Sequence, residues 1–210
     1  MTDETRLRER ICRLSELLYL RGYAHGSTGN VSVRTEDGVI VTPTNACLGL
    51  LEPDRLALVS ADGRHLSGDA PSKETFLHLS MYAERPEARA IVHLHSAHAV
   101  AVSILTPTGD DVLPALTAYA RMRLGRVALV PYHRPGDMAL ADSVRERARR
   151  HRAVLLANHG PVVAARSLEE AVFAAEEFAE TAKLDLLTRD RPRRLLTPAD
   201  LADLDDAFPS

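Results

Sequence analysis

The pattern of apolar and polar positions along the chain predicts helices and strands in alternation. Apolar residues recur at helical spacing over residues 4–22, so this segment is predicted to be an amphipathic helix that ends at Gly22. Alternation of apolar and polar residues on either side of a glycine-containing turn then predicts hairpins. The two predicted hairpins pair residues 31–34 with 39–42 and residues 56–59 with 64–66.

The second half of the chain repeats this alternation. Four further helices are predicted, over residues 72–82, 98–104, 137–149 and 167–187. Four further strands are predicted, over residues 90–95, 127–130, 153–157 and 162–165. Residues 105–126 have no strong period and are predicted to form a loop-rich excursion. The tail after about Asp190 is charged and broken by Pro192, so we expect it to be mobile or to lie on a neighbouring subunit.

These elements predict an α/β layered domain, because each strand run is followed by a segment that must bury its apolar face against the sheet. The hairpins favour a mixed, mainly antiparallel sheet over a doubly wound parallel one. At 210 residues, the chain is expected to form a single domain over residues 1–210.

Composition narrows the classes of function. The net charge is −3, with no tryptophan and no basic patch, so no nucleic-acid partner is expected. No apolar stretch approaches the roughly 20 residues that span a bilayer, so no membrane partner is expected either. The N-terminus is charged and does not resemble a signal peptide. The two cysteines, Cys12 and Cys47, are predicted to be reduced thiols in a cytoplasmic protein.

Three histidines stand where strands are predicted to end. His93 and His95 alternate within one strand, so their imidazoles should leave it on the same side, and His159 follows a second apolar run. Three converging imidazoles are typical of an open zinc-type site that leaves a coordination position for substrate. The alternative is that these are structural histidines. His98 is a competing ligand, but we expect it to begin the next helix and to point elsewhere.

Three polar turns suggest an anion site. Glycine, hydroxyl and amide groups in such turns can cradle a phosphate, and a helix N-terminus attracts anions. The alternative is that the first turn only needs glycine and that Ser72 only caps its helix. The candidate phosphate-binding residues are Ser27, Thr28, Gly29, Asn30, Thr44, Asn45, Ser72 and Lys73.

Two further residues are candidates for proton transfer. Glu74, in a first helical turn, either complements the helix dipole or transfers protons beside a metal-bound substrate. Tyr119 is either a proton donor or a packing residue of the excursion. The other histidines are predicted to be surface or structural residues, with His25 and His133 notable for their polar loops: His25, His65, His78, His133 and His151.

The order of these motifs resembles the class II aldolase/adducin-like family over roughly residues 8–188, with a tail at about 190–210. The motifs that carry the resemblance are Gly29-Asn30-Val31-Ser32-Val33-Arg34, Val41-Thr42-Pro43-Thr44, Pro71-Ser72-Lys73-Glu74, His93-Leu94-His95-Ser96 and Asn158-His159-Gly160. The resemblance implies a three-layer α-β-α fold and a four-fold homotetramer with active sites between subunits. It implies one zinc ion per subunit held by His93, His95 and His159, with Glu74 as acid/base. It also implies phosphate bound by Asn30, Thr44 and Ser72 with help from residues 27–29.

Within this family the chain most resembles the 3-oxo-tetronate 4-phosphate decarboxylases. The matching stretches are residues 66–69, 92–96, 132–137 and 151–163. This branch implies loss of CO2 from a phosphorylated four-carbon sugar acid, giving dihydroxyacetone phosphate through a metal-stabilised enediolate. Retro-aldol cleavage, as in fuculose-phosphate aldolases, needs the same metal and phosphate contacts and is the alternative. A metal-free interaction module is a third hypothesis.

Some positions depart from the branches of the family. Aldolases often have a second serine where Lys73 stands and glycine where Asn45 stands, so the aldolase phosphate pocket is not copied in full. The 4-epimerase branch typically has aspartate where Glu74 stands, and the adducin-type branch lacks the three histidines. Other divalent ions, such as manganese or cobalt, could also occupy a three-histidine site.

Overall fold

The computed structural model describes residues 2–105, 109–134 and 136–208. The strands are β1 (Asn30–Arg34), β2 (Val39–Val41), β3 (Ala57–Val59), β4 (His65–Ser67), β5 (Ala90–His93), β6 (Val127–Val130), β7 (Ala153–Leu156) and β8 (Gly160–Ala165). The helices are α1 (Asp3–Leu20), α2 (Thr75–Glu84), α3 (Ala97–Leu105), α4 (Ala118–Leu124), α5 (Met138–Ala148), α6 (Leu168–Thr188) and α7 (Pro198–Ala207). Two 3-10 turns, Leu48–Leu50 and Pro53–Arg55, join β2 to β3.

The eight strands form one mixed sheet in the order β4-β3-β2-β1-β5-β8-β7-β6. Among the described strands, only β6 and β7 pair in parallel, and the other neighbours are antiparallel. The predicted mixed, mainly antiparallel sheet is therefore confirmed. The order also makes β5 the neighbour of both β1 and β8, at the middle of the sheet.

Helices cover both faces of the sheet, because successive residues of each strand point to opposite faces. Val92 and Val163 pack with Phe178 of α6 in one apolar cluster. The preceding residues of the same strands, Ile91 and Val162, belong to a second cluster that contains residues of α2 and α5. These two clusters on opposite faces confirm the three-layer α-β-α arrangement.

Most predicted elements are confirmed with small shifts in their ends. The first helix, both hairpins and the helix capped by Ser167 lie where the pattern places them. The side chain of Asp137 caps α5 by accepting a hydrogen bond from the Ala139 N–H at 2.9 Å. The helix predicted from Ser72 begins later, at Thr75, because the residues before it form a turn that pairs with the segment after β2.

Three expectations are wrong in part. Strand β5 ends at His93, so His95 lies just beyond the strand. The excursion over residues 105–126 contains α4, capped by Thr117, although residues 106–108 lie outside the described part. The tail carries α7, whose Asp205 pairs with Arg121 of α4 in the same chain. Short helices of this kind lack the long apolar period that a sequence pattern needs, so tertiary contacts decide them.

A close backbone approach joins β5 to β8 where the histidines lie. A Cβ atom at Gly160 would stand 2.1 Å from the carbonyl oxygen of Leu94, far inside van der Waals contact. Only glycine therefore allows the turn that carries His159 to approach the segment that carries His95. Asn158, at the same turn, adopts a positive φ of 57°, which asparagine tolerates better than most residues.

We expect Gly160→Ala to lower the free energy of unfolding by about 1–3 kcal/mol, the usual cost of overpacking. The added methyl group must push the His159 turn away from Leu94, so bound metal should be lost as well. Urea denaturation and metal analysis of the purified protein measure both effects.

The matched control is Gly109→Ala, because a Cβ there meets Val112 at an ordinary 3.6 Å. This change should alter stability by less than about 0.5 kcal/mol. Equal stability and metal content in the two variants would contradict the proposed role of the Gly160 contact.

Candidate metal centre

Four side chains from separate segments meet at one end of the central strands. His93 ends β5, His95 follows two residues later, His159 precedes β8, and Glu74 is the residue before α2. Their ligand atoms all lie within 4.8 Å of one another. The expected convergence of the three histidines is thus confirmed, and the sheet order explains it, because β5 pairs with β8 directly.

The hydrogen bonds of His93 fix which nitrogen faces the other side chains. His93 is fully buried, and its Nδ1 lies 2.8 Å from the carbonyl oxygen of Pro161. A carbonyl only accepts, so Nδ1 carries the hydrogen and donates it. The lone pair of the neutral ring is then on Nε2, which points at His95 and Glu74. This arrangement is typical of a metal-ligating histidine held by a backbone carbonyl.

Glu74 lies against two of the imidazoles. Its Oε1 is 3.0 Å from His159 Nε2, and its Oε2 is 3.4 Å from His93 Nε2. The side-chain amide of Asn30 donates to Oε2 at 2.7 Å. Ser72 supports the backbone here, because its hydroxyl accepts a hydrogen bond from the Glu74 N–H at 3.2 Å. The carboxylate is therefore held from two sides.

The protonation states of this group suit a divalent cation. Burial lowers the pKa of His95 to about 3, helped by the neighbouring His93 and His159, and burial also lowers the pKa of His93. Burial alone would raise the pKa of Glu74, but the nearby histidines and the Asn30 amide outweigh it and hold the pKa of this carboxyl well below its usual range. Neutral imidazoles beside an ionised carboxylate are the forms that bind metal.

The spacing of these atoms also fits a metal. His93 Nε2 and His95 Nε2 are 2.9 Å apart, and ligands at about 2.0 Å from a tetrahedral ion lie about 3.3 Å from one another. With Nδ1 of His93 committed to Pro161, its Nε2 carries no hydrogen to share with His95. Their close approach is explained either by a hydrogen bond that His95 Nε2 donates to His93 Nε2 or by a cation that accepts a lone pair from each nitrogen. The chain thus has a Glu/His3 group that can hold a metal ion.

His98, the competing ligand, is exposed on α3 and outside this group. Its predicted position at the start of the following helix is confirmed.

The open side of the group is a cavity of about 620 Å³. His95 and His159 form one wall, and side chains of α3, among them Ala97 and Val100, form another. The remaining polar side chains of the lining are His25, Tyr132, His133 and Asn158. A volume of this size is ordinary for a small-molecule site.

The three candidate anion-binding turns converge through backbone hydrogen bonds. The Val31 N–H donates to the Thr42 hydroxyl at 3.2 Å, and the Ser72 N–H donates to the Thr42 carbonyl at 3.2 Å. The Thr44 N–H donates to the Ala70 carbonyl at 2.9 Å. These bonds bring the turns after Gly29, after β2 and before α2 to one place beside Glu74.

The candidate phosphate-binding residues differ in their exposure and in the hydrogen bonds that they already make. Thr44 and Asn45 line a separate cavity of about 410 Å³, and Lys73 is exposed. The Thr28 hydroxyl donates to the His25 carbonyl at 2.6 Å. Gly29 has a φ of +80°, and a Cβ there would stand 3.0 Å from the His93 carbonyl oxygen. Ser27 is exposed, and Asn30 and Ser72 are buried.

Tyr119 is not brought to the metal group within this chain. It lies on α4, is 61% exposed, and is absent from the lining of the described cavity beside His95. Its role in proton transfer stays a prediction.

Sequence reasoning missed one buried histidine of the site. His78 is predicted to be a surface or structural residue, with no link to Glu74. It is fully buried, as a structural histidine is, and its Nε2 lies 2.5 Å from Asn30 Oδ1. The spacing contained a usable indication, because residues four apart lie on the same face of a helix and His78 is four residues after Glu74. Tyr132 beside His95 had no such indication, since the fold alone brings its loop there.

Comparison with known proteins now adds to this geometry. The model of the class II aldolase and adducin N-terminal domain matches residues 9–186. A Cupriavidus necator protein named 3-oxo-tetronate 4-phosphate decarboxylase is 48% identical over 213 residues, covering 99% of this chain and 98% of that protein.

This chain belongs to the class II aldolase/adducin family.

Other proteins of this kind are also similar to this chain in structure or sequence. The crystal structure of YgbL from Escherichia coli superimposes with a TM-score of 0.94 at 47% identity, covering 97% of this chain and 99% of that one. An L-fuculose phosphate aldolase of Haemophilus influenzae is 36% identical over 74% of this chain and 71% of that protein. The chain is a carbon–carbon lyase of this class II aldolase family, so the interaction module is not supported. None of the described helices is long and apolar enough to cross a membrane.

We expect His95→Ala to reduce bound metal to well below the roughly one divalent ion per chain of the parent protein. Loss of one imidazole leaves too few ligands for tight binding. Inductively coupled plasma mass spectrometry after dialysis measures the content. His98→Ala is the control, because His98 is an exposed histidine three residues away. Equal metal loss in both variants, or no metal in the parent protein, would contradict the assignment.

Proposed function

We propose that this protein decarboxylates 3-oxo-tetronate 4-phosphate to dihydroxyacetone phosphate and CO2, with zinc as its metal. The observation that carries the proposal is Glu74, an ionised carboxylate placed against three imidazoles and beside an open cavity. The relatives named for this reaction support the choice of substrate, since they match nearly the whole chain at up to 48% identity.

The chemistry requires an acceptor for the electrons that CO2 leaves behind. In the proposed substrate, the carboxylate is on carbon 1 and the ketone on carbon 3, so the electrons move from the broken bond toward the ketone oxygen. When a divalent ion is held by His93, His95 and His159, it supplies a Lewis acid that favours negative charge on the ketone oxygen and the neighbouring hydroxyl oxygen. His93 contributes through its fixed direction, since its Nδ1 is held by the Pro161 carbonyl.

Glu74 has the proton-transfer role in this proposal. Loss of CO2 must be followed by one proton added at carbon 2, and the product is then dihydroxyacetone phosphate. Glu74 rests as a carboxylate, so it must first take up from solvent the proton that it then delivers to carbon 2. Its contacts with His93 and His159, two of the side chains that would hold the metal, support this role.

The phosphate group belongs, in this proposal, at the three converging turns. Ser72 and Lys73 precede α2, where backbone N–H groups and the helix dipole favour an anion. The Lys73 charge and the Thr44 hydroxyl add to this attraction. Binding the phosphate there fixes the distance between carbon 4 and the metal group.

We also propose a cytoplasmic homotetramer with active sites between subunits. Tyr119 is exposed on α4 in the single chain. In this assembly it would serve the site of a neighbouring subunit, and its hydroxyl would assist proton transfer there.

Retro-aldol cleavage of a ketose 1-phosphate is the second candidate, favoured by the relatives named as L-fuculose phosphate aldolases. Retro-aldol cleavage releases an aldehyde where decarboxylation releases CO2, and both reactions leave the same enediolate. To decide, the metal-loaded protein is incubated with 3-oxo-tetronate 4-phosphate, while dihydroxyacetone phosphate and CO2 are followed over time. We expect equal amounts of both products. No turnover there, together with cleavage of fuculose 1-phosphate, would overturn the decarboxylase assignment.

We expect Glu74→Gln to keep the metal and to lower kcat by about 10²–10⁴-fold, because the amide cannot carry the proton. Metal analysis and steady-state kinetics on the same preparation measure both quantities. Glu16→Gln on the exposed face of α1 is the control and should behave like the parent protein. Full activity of the Glu74 variant would remove the acid/base role.

A further inference from the structure

A chain of buried polar side chains leads away from Glu74 into the space between the sheet and α2. Asn30 contacts Glu74 through Nδ2 at 2.7 Å, and its Oδ1 lies 2.5 Å from His78 Nε2. The other ring nitrogen of His78, Nδ1, lies 2.7 Å from the Ser32 hydroxyl. Tyr82 ends the chain with its hydroxyl 3.0 Å from that of Ser32. We call these four residues, Asn30, His78, Ser32 and Tyr82, the relay.

The ionised carboxylate of Glu74 sets the direction of the hydrogen bonds that run from Asn30 through His78 to Ser32. An ionised carboxylate only accepts, so Asn30 must turn its NH2 group toward it and its carbonyl oxygen toward His78. That oxygen also only accepts, so His78 must carry its hydrogen on Nε2. Nδ1 of the neutral ring is then an acceptor, and the Ser32 hydroxyl donates to it. Each donor therefore points toward Glu74.

Burial holds the relay in this one arrangement. Asn30 and Tyr82 are each 4% exposed, while Ser32 and His78 are completely buried. A polar group that loses its partner in such a place has no water to replace it. Burial also lowers the pKa of His78 to about 3, which agrees with the neutral ring that the bonds require. Rotation of the Asn30 amide or of the His78 ring would break the hydrogen bond between them.

We propose that His78 is a positioning residue that acts through Asn30 to hold the Glu74 carboxylate in the orientation needed for proton transfer. The inference rests on the proposed function, because it assumes the acid/base role of Glu74. The amide oxygen and one amide hydrogen of Asn30 are already committed within the protein.

Kinetics of three variants test this assignment. His78→Leu removes the donor to Asn30 but keeps an apolar side chain, so kcat should fall roughly 10–100-fold while metal content and KM stay near the parent values. His78→Gln can place an amide N–H where Nε2 was and should recover most of kcat. Asn30→Ala should likewise lower kcat and leave KM nearly unchanged.

The matched control is His151→Leu. His151 is also a buried histidine, and its Nδ1 lies 3.0 Å from the Arg126 carbonyl, but it is outside the relay. This variant should lose stability without the selective fall in kcat. Wild-type kcat in His78→Leu, an equal fall in His151→Leu, or a rise in KM alone in Asn30→Ala would each overturn the proposal.

A measurement without substrate separates the relay from the proposed reaction. Nitrogen-15 NMR of the metal-loaded protein should show His78 neutral, with its hydrogen on Nε2, and Asn30→Ala should shift that signal. A hydrogen on Nδ1 would overturn the relay even in an active enzyme. The proposed function fails if the parent protein does not decarboxylate the proposed substrate and does not exchange protons of dihydroxyacetone phosphate with solvent. The NMR result still decides the relay in that case.

Discussion

The carbonyl oxygen of Pro161 accepts two hydrogen bonds at the point where β5 meets β8, one from His93 Nδ1 at 2.8 Å and one from the Leu94 N–H at 3.2 Å. The first bond decides which nitrogen of His93 faces the metal group. The second ties the end of one strand to the start of the other. Because Gly160 lies against Leu94 at the same place, His159 approaches the other two histidines. The Pro161 carbonyl therefore determines the direction of the His93 ring, and the adjacent Gly160 contact allows the three histidines to lie close together.

Electrostatics then follows from burial. Burial disfavours the charged forms of His93 and His95, whereas the neighbouring histidines and the Asn30 amide outweigh the burial of Glu74 and hold its pKa below the usual range. The result is a group of imidazole nitrogens beside one carboxylate, and a bound cation would stabilise this group. The same burial keeps Asn30 and His78 behind Glu74 in fixed hydrogen bonds, since no water can replace a partner that either of them loses.

The group formed by Glu74 and the three histidines is compatible with more than one reaction of the family. Decarboxylation and retro-aldol cleavage both leave electrons beside a ketone, and both need the phosphate held at a fixed distance. The fragment that leaves differs, and the cavity on the open side of the metal group is lined by His95 and by Tyr132 and His133 of one loop. This loop follows β6, at the parallel edge of the sheet, where it can vary without disturbing the central strands.

The sequence by itself determined the mixed sheet, most of the helices and the three histidines with Glu74, because these depend on local periodicity and on motifs of adjacent residues. It did not determine α7 or the end of β5 before His95, since short elements take their limits from the groups they pack against. The partners of His78 also required the tertiary structure. Asn30 and His78 are separated by 48 positions, and only the packing of α2 on β1 joins them. Hydrogen bonding between distant segments has no periodicity, so the fold decides it.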